Sequence, residues 1–111
     1  MIDLPSAETS MQPTMVVHLP ADMDYAATSQ LRSLLSPVLM DHEPSVVVDL
    51  SRVSFMDCAG LGVLLQVNAS SLGRMRLVNC PPLVSEFLLL TGTYGSFDWL
   101  ERPSGNPGPD Y

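Results

Sequence analysis

Apolar and polar residues fall in blocks along this chain, and the period of the blocks changes from one to the next. Met15-Val16-Val17-His18-Leu19 is a short run with β-branched residues at its centre, stopped by Pro20, and it predicts a strand. Leu31, Leu34, Leu35, Val38 and Leu39 then recur at helical steps, the stripe of an amphipathic helix. Thr28 or Asp24 suits its N-cap. Pro37 lacks a backbone donor and predicts a kink or an early end there. Val46-Val47-Val48-Asp49-Leu50 runs without alternation, which predicts a central strand covered on both faces.

Phe55-Met56 follows a polar link, and Leu61, Leu64 and Leu65, with Val63 and Val67, form a second helical stripe facing that strand. Gly73 is its expected stop. Met75-Arg76-Leu77-Val78-Asn79 reads as the next strand. Pro82 suits the first position of a third helix through Leu83, Val84, Phe87, Leu88 and Thr91, which Gly92 ends. Phe97-Asp98-Trp99-Leu100 adds a short last strand. Strands alternating with helical crossovers give an α/β fold, a mostly parallel central sheet with helices packed on it. Residues 14–101 form that domain. The polar segment 1–13 is read as loose or as a short first strand, and the Pro- and Gly-rich tail 102–111 as disordered.

Composition narrows the partners. Apolar residues make up 46% of the 111, enough for a core without disulfides or metals. The net charge is −7, with five basic residues, all arginine. Nucleic acid is bound by neutralising phosphates, so this balance argues against it and against an anionic membrane surface. A protein with a basic docking face suits it better, although the charge also serves solubility. Two cysteines do not make a disulfide scaffold, and a reducing, cytoplasmic setting is expected. The N-terminus lacks the pattern of a signal peptide, and no apolar run is long enough to span a bilayer.

Few residues promise chemistry. Gly60-Leu61-Gly62 follows a strand and opens a helix, but Leu65 stands where a dinucleotide fingerprint needs its third glycine. The glycines there serve close backbone approach instead. Cys58 lies near a helix N-terminus, which favours a thiolate, while Asp57 beside it opposes one. His18 and His42 have no spacing that brings them to it. Cys58 and Cys80 are therefore read as inert, largely buried thiols. No close pair of His or Cys suits a metal, and Asp22 with Asp24 reads as a solvated turn rather than an acid–base pair. Neither a cofactor nor catalysis is expected.

The stretch from Val46 through Asp49-Leu50-Ser51 and Phe55-Met56-Asp57-Cys58-Ala59-Gly60-Leu61-Gly62 to Leu65 closely resembles the central signature of STAS domains. Leu19-Pro20-Ala21-Asp22-Met23-Asp24 resembles the family's Leu-x-Gly-Glu-Leu-Asp, with Ala21 at the glycine position. Arg76-Leu77-Val78-Asn79 and Leu90-Thr91-Gly92 resemble further segments, so the likeness covers roughly residues 14–100. The resemblance implies a non-enzymatic, protein-binding module of the anti-sigma-factor-antagonist type. In such members the unmodified protein binds an anti-sigma factor that is also a serine kinase, and this releases the sigma factor. The kinase then phosphorylates a Ser or Thr immediately before the turn glycine, and added charge dissolves the contact. Here that phosphoacceptor position holds Ala59, and Cys58 replaces the preceding serine. The resemblance implies a partner face of Asp24, Asp57, Cys58, Ala59, Gly60, Leu61 and Gly62 with the exposed part of the second helix. An alternative role is a STAS accessory subunit of a lipid-trafficking transporter or a stressosome-like complex.

Overall fold

The computed structural model describes residues 15–40 and 45–100. The expectations for 1–13 and 102–111 lie outside the described residues. Three parallel strands form the main sheet in the order β1 (Met15–His18), β3 (Val46–Asp49) and β5 (Met75–Val78). Their register sets Val16 beside Val47, and Val47 beside Arg76. Two further residue pairs, β2 (Asp22–Met23) and β4 (Phe55–Met56), make a second parallel ladder. The 46–50 run is thus central, as its composition predicts.

Side chains alternate across the main sheet, so each strand gives one row to the core. Val17, Val46, Val48, Met75 and Leu77 are buried in that row. The opposite row holds Val16, His18, Val47, Asp49, Arg76 and Val78, and none of these is fully buried. Val16, Val47, Arg76 and Leu100 there border a depression of about 440 Å³. The expected cover on both faces of the central strand is therefore not found among the described residues. Three consecutive valines fit the strand through β-branching alone, and only two of them face the core.

Helices cover the other face. A 3₁₀ turn at Tyr25–Ala27 leads into α1 (Thr28–Leu34), which breaks at Leu35 and resumes as α2 (Ser36–Leu39). Pro37 sits in the first turn of α2, so the predicted interruption falls just before it. The long helix α3 (Cys58–Ser71) packs on α1, α2, β2 and β4. Leu61 and Leu64 are buried, and Leu65 is partly so, as the stripe requires. The helix ends at Ser71, two residues before the expected stop, because its C-cap Leu72 already takes the left-handed conformation (φ 53°) ahead of Gly73 (φ 88°). Next, α4 (Pro82–Leu90) starts with proline and leads through Thr91 to Gly92 at φ 75°. The expected last strand reduces to a single parallel bridge between Leu77 and Trp99. The Trp99 ring stacks on Tyr94 at 4.7 Å, which fixes this end of the chain against the core.

Candidate functional site

The site forms where β4 turns into α3. Asp57 has extended backbone and caps the helix, its Oδ1 accepting the Gly60 amide at 2.9 Å. Its Oδ2 accepts the Tyr25 amide at 3.2 Å, a contact spanning thirty-two residues of sequence. Asp24 caps the 3₁₀ turn, where its Oδ1 accepts the Ala27 amide at 3.0 Å. Both carboxylates named from the sequence therefore act as caps that hold the two facing turns in place.

Gly60 is buried because the helix head lies directly on β2. A Cβ added there would stand 2.6 Å from the Met23 carbonyl carbon and closer still to its oxygen. Asp57 amide and Met23 carbonyl are hydrogen-bonded at 3.0 Å in the same contact. The predicted close backbone approach is thus found at Gly60, whereas a Cβ on Gly62 would meet nothing. Leu61 points into the core. Of the seven residues implied for the partner face, Cys58 and Gly62 are exposed, while Asp24, Asp57 and Ala59 are half-buried.

Cys58 corrects the expectation of a buried thiol. It is the first residue of α3 and is solvent-exposed, while Cys80 is buried, and both are free. Burial pushes the Cys80 thiol up to about 12, so it stays protonated and inert as expected.

Cys58, Ala59, Gly62 and Val63 line one side of a shallow depression of about 500 Å³. Tyr25, Thr28, Arg32 and Gln66 line the rest. Arg32 donates to Gln66 Oε1 at 2.9 Å and ties α1 to α3 across it. Tyr25, Arg32 and Gln66 were not singled out in the sequence, where they look like ordinary polar-face residues. Only the packing of the 3₁₀ turn and α1 against α3 brings them beside Ala59.

A second polar group sits at the C-terminal ends of the main strands. Asp49 accepts the Ser51 amide at 2.7 Å and the Asn79 side-chain amide at 3.0 Å, with His18 Nδ1 at 3.7 Å. Partial burial raises the Asp49 carboxyl, but the hydrogen bonds from Ser51 and Asn79, with His18, outweigh it and leave the group below the usual range. This carboxylate closes the turn after β3 and links it to β5. Among the described residues no group of three His, Cys, Asp or Glu side chains is placed to hold a metal, and no helix is long and apolar enough to cross a membrane.

Fold and turn together define a small α/β domain whose distinctive feature is a capped helix head at the surface. The chain belongs to the STAS domain family, whose sequence pattern matches residues 5–103. The unphosphorylated form of the anti-sigma factor antagonist SpoIIAA has a similar structure, with a TM-score of 0.62 and 23% identity over 82% of this chain and 83% of that one. The Bacillus cell fate determinant SpoIIAA in its phosphorylated form gives 0.58 and 23%, over 85% and 86% of the two chains. A sulfate transporter family protein from Wolinella succinogenes gives 0.60 and 18%, over 88% and 89%. No curated protein matches the chain in sequence.

Proposed function

We propose that this protein is a non-enzymatic regulator that binds an anti-sigma factor through the head of α3, and that phosphorylation at residue 59 does not control the contact. The observation that carries this reading is the surface formed by Cys58, Ala59 and Gly62 beside α1. It lies on a fold shared with SpoIIAA, and its sequence resembles the family turn except for the two missing hydroxyls, at Cys58 and Ala59. An exposed glycine inside a helix costs about 1 kcal/mol against alanine. The Gly62 Cβ position is empty within this chain, so close approach by a partner is a reason to keep the glycine. The acidic balance suits a partner with a basic face, and a cytoplasmic setting follows from this role.

Affinity purification of the tagged protein from its native cells, with identification of what it retains, tests the reading. Retention of an anti-sigma factor with a kinase-like domain supports it. Recovery of transporter subunits in its place favours the second reading, an accessory STAS subunit, for which the fold similarity to the sulfate transporter family protein speaks.

A further inference from the structure

Tyr25 combines a fixed backbone with a free ring. Its amide donates to Asp57 Oδ2 at 3.2 Å. Its carbonyl accepts both the amide and the hydroxyl of Thr28, the latter at 3.1 Å. The next residues are held by the Asp24 cap. Yet the residue is 78% exposed, the most exposed aromatic among the described residues. Large apolar side chains normally gain by burial, and an aromatic on a rigid turn loses little entropy when a partner covers it. Such residues are typical anchors of protein interfaces.

We infer that Tyr25 is the anchor of the partner face, its ring seated in an apolar slot of a protein partner that presents basic side chains around that slot. The basic surround follows from charge. Asp22 is exposed just before the turn, Asp22 and Asp24 border a second, separate depression with Ala26 and Ala27 of the same turn, and the chain carries a net −7. Arg32, which lines the depression beside Tyr25, keeps its charge while donating to the neutral Gln66 amide, so the acidic side of the face is the one that Asp22 and Asp24 occupy. The inference deepens the proposed function and rests on it for the identity of the partner. Asp24 and Asp57 take the role of positioning residues, holding the turn that carries the ring.

The test titrates the purified full-length protein against the kinase-like anti-sigma factor of the same organism by calorimetry, with melting curves as the fold control. Tyr25→Ala is expected to weaken binding roughly thirtyfold, and Tyr25→Phe by less than about threefold. Wild-type affinity is expected to fall as salt rises, and to fall less steeply in Asp22→Asn. Tyr25→Ala binding like wild type overturns the anchor, equal loss in Tyr25→Phe overturns the apolar slot, and salt-independent binding overturns the basic surround. If wild type does not bind that protein, the proposed function fails and a photo-crosslinking residue at position 25 in living cells decides the anchor. A crosslinked protein that, once purified, binds wild type and not Tyr25→Ala retains it. Absence of any crosslink from position 25, or a crosslinked protein that binds both alike, overturns it.

Discussion

Gly60 rests on Met23 with no room between them: the helix head is laid on the β2 backbone, and any side chain at residue 60 would enter the Met23 carbonyl. The contact joins α3 to β2 and thereby sets where Asp57 stands relative to Tyr25. Gly60→Ala is expected to destabilise the fold by about 2–4 kcal/mol, since backbone rather than a flexible side chain must move. Gly62→Ala, two residues on and facing solvent, is expected to stabilise it by roughly 0.5–1 kcal/mol. Chemical denaturation of the two variants checks both signs. Similar effects from the two substitutions would contradict the packing described.

The thiols differ in the same measurable way. Cys58 is exposed at the start of α3, and Cys80 is buried with its thiol pushed up to about 12. Alkylation of the native protein near neutral pH should modify Cys58 alone, and Cys80 only after denaturation. Mass spectrometry of the labelled peptides reads this directly. Labelling of Cys80 at the rate of Cys58 would mean that the end of β5 opens freely.

Asp49 should make stability depend on acid. Its carboxyl lies below the usual range in the folded chain, so its contribution is fully present above the unfolded value of about 3.9. That contribution is lost as pH falls from there through the folded value. Asp49→Asn should lower the melting temperature at neutral pH and flatten the fall on the acid side, as the Ser51 and Asn79 amides lose a charged acceptor. Parallel pH profiles for the variant and the wild type would remove Asp49 from this role.

How far the sequence could be read depended on whether the deciding contact was local. Val46, Val48, Leu61 and Leu64 announced their strand and helix because the period of their spacing is itself the structure. Val47 misled, since a β-branched residue looks the same whether its face is packed or open. Cys58 misled likewise: free cysteine is usually buried, but this one opens α3 at the surface, where it is Gly60 of the helix head that meets β2 closely. Gly60 was legible as a close approach, though not what it approached. Tyr25, Arg32 and Gln66 were illegible as a group, because nothing local says that α1 and α3 meet along those faces.

Ala59 carries the sharpest expectation. It borders the depression with a methyl group where the family turn carries a hydroxyl, so a kinase seated there finds no nucleophile at that position. The nearby serines do not replace it. Ser51 lies in the turn that Asp49 closes, and the Ser54 hydroxyl donates to the Ala21 carbonyl at 3.3 Å, both ahead of the helix head. Thr28, on the far side of the depression, spends its hydroxyl on the Tyr25 carbonyl. If the proposed function holds, incubation with the partner kinase and Mg-ATP should therefore leave the wild-type mass unchanged and the complex intact. Ala59→Ser should gain one phosphate and release the partner, because about −1.5 to −2 charges would then sit in a contact built around a methyl group. Intact-mass spectrometry with a binding assay on the same samples reads both steps. A stoichiometric phosphate on the wild-type chain would defeat the expectation. An Ala59→Ser chain that binds the kinase but stays unmodified would show that residue 59 does not reach its active site, which would move the docking face away from the head of α3.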